Sequence, residues 1–175
     1  RAAMTGDGLK LDGQVEVDET FVGGKEKNKH RFNRSKLGRG TAGKVAVIGA
    51  ISRKGKVVAQ VIENTDTRTL NGFVREAVSD DVSLVATDEH SGYRLLKDQG
   101  YPHESVRHGQ GEYVRGLVHT ASIDSFWSLL KRGIMGQFHH VSKEYLPLYV
   151  NEFSWRHNNR KNPNAFNDLV TRCNK

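Results

Sequence analysis

Residues 14–22 read QVEVDETFV, residues 44–52 read KVAVIGAIS and residues 56–63 read KVVAQVIE; the fold turns on these three stretches. In the first, Val15, Val17, Glu19 and Phe21 alternate with hydrophilic neighbours, the period of a strand, so Asp18 belongs to the face opposite the valines. Gly23 and Gly24 end that strand. The other two runs are rich in β-branched residues and are separated only by Arg53, Lys54 and Gly55, a spacing that predicts an antiparallel hairpin. Together the three form a meander.

Beyond the meander, Thr67 is placed to cap a helix running to about Val78, because Leu70, Phe73, Val74 and Ala77 recur at helical spacing. A strand returns over Val82 to Thr87, followed by a short helix around Tyr93 to Asp98 and a weak strand in HESVRH, residues 103–108. A loop with Gly109, Gly111 and Gly116 comes next; it lacks the strand and helix context of a dinucleotide fingerprint. From Ser122, the spacing of Ile123, Phe126, Trp127, Leu130 and Ile134 marks an amphipathic helix, and Phe126 and Trp127 are expected in the core. Ser142 opens another helix, in which Tyr145, Leu148, Tyr149, Glu152, Phe153 and Arg156 recur. Beyond Asn158 the chain is polar and interrupted by proline. There is no internal repeat. The order of elements fits an α/β fold, a ribonuclease H-like mixed five-stranded sheet in which a three-strand antiparallel meander is joined by parallel strands and flanked by helices. A chain of 175 residues suits one domain, 1–175, with a basic insertion at 23–40 and a C-terminal helix at 142–158, and buries roughly 70% of its unfolded surface.

Lys and Arg number 27 against 20 Asp and Glu, for a formal charge of +7 and a pI near 9.6. That balance favours a polyanionic partner such as nucleic acid. Its distribution is uneven: Lys25, Lys27, Lys29, Arg31, Arg34, Lys36 and Arg39 face only one acid, Glu26, within the insertion. Neutralising phosphates with such a segment releases counterions and holds a DNA backbone without specifying its sequence. Arg132, His139, His140, Arg156 and Arg160 extend this candidate surface, with Trp155 as a base-stacking candidate or a packing residue. The single cysteine, Cys173, excludes a disulfide framework and a cysteine-based zinc site. Adjacent His139 and His140 diverge on regular backbone and have no evident third ligand. Apolar runs fall well short of a membrane span and no signal pattern opens the chain, so a soluble, cytoplasmic protein with no membrane partner is expected.

Three carboxylates stand where chemistry is expected. Asp18 is mid-strand, Asp88 closes a strand, and Asp124 lies near the start of a helix. In parallel sheets the carboxyl edge of the strands is where ligands bind. Lys131 follows Asp124 by seven residues, two turns on and nearly the same helical face. Mg²⁺ or Mn²⁺ takes oxygen ligands and needs only a few carboxylates with substrate phosphate. Two such ions, about 3.5–4 Å apart, activate an attacking oxygen and stabilise a leaving one in phosphoryl transfer. Asp18 is the bridging candidate, Asp88 and Asp124 complete the set, and Lys131 is the phosphate contact; Glu19, on the other face of its strand, ranks below Asp18.

The segments VDETFVGGK, VATDEHSGYRLL, HTASIDSFWSLLKRGIMGQFHHVS and YVNEFSWRHNNR resemble, in order, the catalytic domain of ISXO-like insertion-sequence transposases of the DDE superfamily. The resemblance spans nearly the whole chain and implies a ribonuclease H-like fold with its acids at the positions of Asp18, Asp88 and Asp124. It implies divalent-metal cleavage at transposon ends and strand transfer into target DNA, a bacterial nucleoid-associated setting and a homo-oligomer that brings two ends together. Family members carry an N-terminal zinc-ribbon or helix-turn-helix segment that is expected to be absent from this chain. The family has Glu where this chain has Asp124 and Asn where it has Ala121. Those departures keep a second reading open, an inactive or domesticated DNA-binding remnant, beside a third, a ribonuclease H-like nuclease that only hydrolyses.

Overall fold

A computed structural model of the chain describes residues 1–6, 8–24, 32, 41, 43–53, 55–106 and 119–173. The meander forms as its alternation dictates. Strands β1 (Gln14–Val22), β2 (Val45–Ser52) and β3 (Val57–Ile62) pair antiparallel, with Asp18 opposite Gly49 and Gly49 opposite Ala59. On the other side of β1, β4 (Leu84–Thr87) runs parallel to it, and β5 (His103–Ser105) runs parallel to β4. The resulting order, β3-β2-β1-β4-β5, is the ribonuclease H-like mixed sheet.

Period-two alternation divides the core in two. Val15 and Val17 of β1 and Ala46, Ile48 and Ala50 of β2 meet Leu70, Phe73 and Val74 of α1 (Thr67–Ala77), together with Tyr93 and Leu96 of a 3₁₀ segment at Ser91–Leu96. On the opposite face, Val22, Val47 and Ile51 meet Ile123, Phe126, Trp127 and Leu130 of α2 (Ala121–Arg132) and Leu146 and Val150 of α3 (Leu146–Asn158). Full burial of each large apolar side chain contributes roughly 1.5–3 kcal/mol, so both faces of the sheet are committed. Asp18 shares the second face, beside α2.

Several boundaries move for identifiable reasons. Asp66, not Thr67, caps α1, its carboxylate accepting the Thr69 N–H at 2.9 Å. β4 begins at Leu84 because the Val82 N–H turns back to the Ser79 carbonyl while Ser83 and Leu84 donate to Gly13. The short helix after β4 is a 3₁₀ segment, and the described part of the weak strand is three residues long. α3 starts at Leu146 rather than Ser142: Ser142 accepts from Tyr145 and Leu146 in a turn, and Pro147 occupies the first helical turn, where a missing N–H leaves no bond unmade. α2 runs into a π-helical turn at Gly133–Gln137, where a Cβ on Gly133 would lie 2.1 Å from Phe153 of α3. The segment past Asn158 is not featureless, for α4 (Ala165–Cys173) follows Pro163, with Asn162 accepting the Asn164 N–H and donating to Asp168. No helix among the described residues is long and apolar enough to cross a membrane.

Candidate active site

The β1–β4 ladder pairs Gln14 with Leu84, Val15 with Val85 and Glu16 with Ala86. Two further steps in that register carry Asp18 alongside Asp88, just beyond the carboxyl end of β4. Asp88 is fixed there by its own turn: its Oδ1 accepts the His90 N–H at 2.9 Å, and the Thr87 hydroxyl donates to its carbonyl at 2.8 Å. A hollow of about 310 Å³ opens beside it, lined by Asp88, Glu89, His90, Arg94, His103 and Ser105.

Asp18 is held from the helix side. Trp127 Nε1 donates to its Oδ2 at 2.9 Å. The indole reaches it across Gly49, where a Cβ would stand 2.6 Å from the ring, so the cross-strand partner of Asp18 has to be glycine for this contact to exist. Sequence pattern marks Trp127 as core, which it is, but not as a donor to the carboxylate.

Burial raises the Asp18 pKa from 3.8 to about 7, reinforced by the negative charges of Glu19, Asp88 and, less strongly, Asp124, against the stabilising indole N–H. Four carboxylates thus share one electrostatic neighbourhood. Glu19 lies on the other face of β1, as its alternation requires, yet it is part of this group. Its Oε2 accepts from the buried Tyr93 hydroxyl at 2.7 Å, and its Oε1 stands 3.8 Å from His90 Nε2, whose ring accepts the Gly92 N–H at Nδ1. Burial first, then Asp88, raises the Glu19 pKa, while Tyr93 and His90 favour its charged form. The Tyr93 hydroxyl is itself pushed well above its ordinary range by burial and by Glu19. Glu19 and Tyr93 therefore tie β1 to the segment that follows Asp88, a link that no spacing in the sequence announces.

Asp124 sits exposed in the first turn of α2, with its Oδ2 accepting from the Thr120 hydroxyl at 3.3 Å. Lys131 and Arg132 are exposed in the last turn. The candidate DNA contacts Lys25, Lys27, Lys29, Arg31, Arg34, Lys36 and Arg39, and Gly109, Gly111 and Gly116, lie outside the described residues. His139 and His140 are exposed. Arg156 pairs with Glu152 at 2.8 Å, Arg160 donates to the carbonyls of His157 and Gly55, and Trp155 lines a cavity of about 560 Å³ along β3. The two arginines thus have structural partners, and Trp155 is half-buried in that cavity wall.

Among the described residues no group of three or more His, Cys, Asp or Glu side chains stands close enough to enclose a metal ion. The donor set nonetheless suits a hard divalent cation. Mg²⁺ keeps several waters and is commonly held by one or two carboxylates plus substrate phosphate. Asp18 and Asp88 provide such a pair, and mutually repelling carboxylates are relieved by a cation.

A family profile described as the ISXO2-like transposase domain matches residues 10–158. An uncharacterized protein in transposable element ISH50 of Halobacterium salinarum is 31% identical over 160 residues, spanning 83% of this chain and 52% of its own length. The chain therefore spans about half the length of that curated relative. Among solved structures, the HTLV-2 integrase catalytic core domain in complex with magnesium is 10% identical with a TM-score of 0.46, over 86% of this chain and 88% of its own. A chain of the simian T-cell lymphotropic virus intasome is 12% identical with a TM-score of 0.47, over 87% and 50% respectively. With the profile covering most of its length, from just before β1 to the end of α3, the chain belongs to the ISXO2-like transposase domain family.

Proposed function

We propose that this chain is the catalytic domain of a DDE-type transposase that cleaves DNA at the ends of its element and joins the freed 3′-hydroxyl to target DNA, with Mg²⁺ or Mn²⁺ held by Asp18, Asp88 and Asp124. The observation that carries the proposal is the placement of Asp18, held by the Trp127 indole N–H and brought alongside Asp88 by the β1–β4 register, in a transposase-family chain; burial and three neighbouring acids raise its pKa to about 7. Such an arrangement is costly unless a cation offsets it.

Both steps are in-line displacements at phosphorus. Water attacks first and the 3′-hydroxyl second; each time the P–O3′ bond breaks and the departing oxygen takes up a proton. Divalent ions, when bound, supply the charge that activates the attacking oxygen and stabilises the leaving one. Trp127 keeps Asp18 aimed into the site, and the turn at Asp88–His90 keeps Asp88 beside it. Lys131 is assigned a phosphate contact, and the cations between Lys25 and Arg39, with Arg132, hold the DNA backbone. Synapsis of two ends calls for a homo-oligomer on DNA in the bacterial nucleoid.

The test is Mn²⁺ titration by calorimetry, with a labelled duplex carrying the element's end, on the wild type and Asp18→Asn, followed by cleavage and joining assays. Uptake and cleavage that both vanish in Asp18→Asn support the proposal; wild-type uptake in Asp18→Asn sinks it. Cleavage without joining favours a hydrolytic nuclease. A second reading, a DNA-binding remnant, is favoured by the short side chain of Asp124, which is engaged with Thr120. It wins if the wild type is inert and Asp124→Glu cleaves.

A further inference from the structure

Glu16 precedes Asp18 by two residues on the same face of β1 and is 0% exposed. Its Oε2 accepts the backbone N–H of Ser122 at 2.7 Å and of Ile123 at 3.1 Å, while Oε1 accepts the Ser122 hydroxyl at 3.0 Å and Arg53 Nε at 3.1 Å. His119 Nδ1, which accepts the Ala121 N–H at 3.4 Å, lies 3.2 Å from the same oxygen. These amides belong to the first turn of α2, whose opening N–H groups have no partner within the helix. Thr120, at the capping position, makes no side-chain capping bond; its hydroxyl goes to Asp124. The cap therefore comes from another element. A strand carboxylate, buried and charge-assisted, closes the start of the helix that bears Asp124.

The geometry has a consequence for the carboxylates. Glu16 and Asp18 project from one strand at a separation fixed by the pleat, roughly 6.6 Å along its axis. One oxygen shared by two consecutive amides, with the other on the Ser122 hydroxyl, sets both the height and the rotation of the first α2 turn against that strand. Asp124 stands in that turn, its N–H bonded to the Thr120 carbonyl at 3.0 Å. We infer that Glu16 is a positioning residue: it locks α2 to β1 so that Asp124 is held in range of Asp18. The inference rests on the reading of Asp18, Asp88 and Asp124 as the metal-holding set.

Glu16→Gln tests it, because the near-isosteric amide keeps one acceptor and turns an NH₂ toward the donors. Four quantities are compared with wild type: Mn²⁺ affinity with the end duplex present, single-turnover cleavage, KM for DNA, and amide exchange at Ser122 and Ile123. Asn158→Ala serves as the stability control, since Asn158 bonds both the N–H and the carbonyl of Val57 on β3. The expectation is a loss of about 10- to 100-fold in Mn²⁺ affinity or cleavage rate, the range for residues that orient metal ligands. KM stays unchanged because Glu16 has no surface to offer DNA, and the two amides exchange faster. Asn158→Ala should lose thermal stability but keep wild-type Mn²⁺ affinity and rate. Wild-type affinity and rate in Glu16→Gln overturn the inference, as do losses no greater than those of Asn158→Ala at equal melting temperature. If the wild type neither takes up Mn²⁺ nor cleaves, the metal-site reading has failed and the positioning role falls with it; faster exchange in Glu16→Gln then marks Glu16 as a helix cap and nothing more. Should Glu16→Gln not fold, Ser122→Ala removes one donor alone: a loss of about two- to fivefold in Mn²⁺ affinity supports the inference, and wild-type affinity overturns it.

Discussion

At the scale of single residues, Asp18 links stability to pH in a direction opposite to that of an ordinary paired carboxylate. Its pKa rises from 3.8 to about 7 on folding, so the native chain keeps a proton that the unfolded chain gives up between about pH 4 and pH 7. Stability from this group is fully present below about pH 4, falls as pH rises, and is lost above about 7, with an amplitude on the order of 2–4 kcal/mol for a partly exposed group. Without divalent ions, Asp18→Asn should flatten this slope and raise urea stability at pH 8; a variant whose slope between pH 5 and 8 equals that of wild type refutes the assignment. Trp127→Phe keeps most of the packing but removes the donor to Asp18, and loss of a hydrogen bond to a charged group costs about 1–3 kcal/mol. It should also weaken Mn²⁺ binding by roughly 10-fold or more, measured by the same calorimetry. Gly49→Ala approaches this defect from the other side, since its Cβ would meet the indole at 2.6 Å. It should lower the melting temperature and quench or shift the Trp127 fluorescence, whereas an unchanged spectrum would mean that the ring is not held over Gly49.

At the scale of elements, the meander was legible from its runs of β-branched residues between turn signals, with both faces buried, and the amphipathic helices from the helical spacing of the one face that each buries. The boundaries were less so, because capping and turn bonds decide them: Asp66 outcompetes Thr67 as the cap of α1, and Ser142 is spent on a turn before α3. α4 escaped notice since none of its residues is buried and its start is built from Asn162 side-chain bonds. The site shows the same division. The places of Asp18 and Asp88 on strands and of Asp124 on a helix were readable from local pattern, whereas Glu16, Glu19, Tyr93 and Trp127 make contacts 74 to 109 residues apart in sequence, which local periodicity cannot encode. One hint was present: Glu16 lies between two valines and shares the face of Asp18, where an unpaired acid is costly to bury. The cap of α1 is a control for these ideas. Asp66→Ala should cost about 1 kcal/mol with no change in Mn²⁺ affinity, because α1 packs on the face of the sheet opposite Asp18; a metal-binding defect in this variant would imply that the two faces are coupled.

At the scale of the whole molecule, charge and carboxylates divide the labour. Of the net +7, the insertion between Gly23 and Gly40 contributes six, since its seven cations meet only Glu26, while the candidate site gathers acids. Under the proposed function, a DNA strand drawn toward the acids needs cations to hold its backbone, and the stretch between Gly23 and Gly40 is the largest reserve of them in the sequence. If it does so, affinity depends on counterion release, and log Kd plotted against log salt has a slope that counts the phosphates neutralised, about 0.9 per contact on duplex DNA. Replacing Lys25, Lys27 and Lys29 by Ala should lower that slope by about 0.9 for each lysine that touches a phosphate, up to roughly 2.7 for all three. Sequence preference should stay the same, because backbone contacts position without specifying. Mn²⁺ affinity in the absence of DNA should match wild type. Fluorescence anisotropy over a salt series decides the matter: an unchanged slope assigns the insertion to some other polyanion or to none, whereas a reduced slope with unchanged Mn²⁺ affinity separates holding the DNA from acting on it.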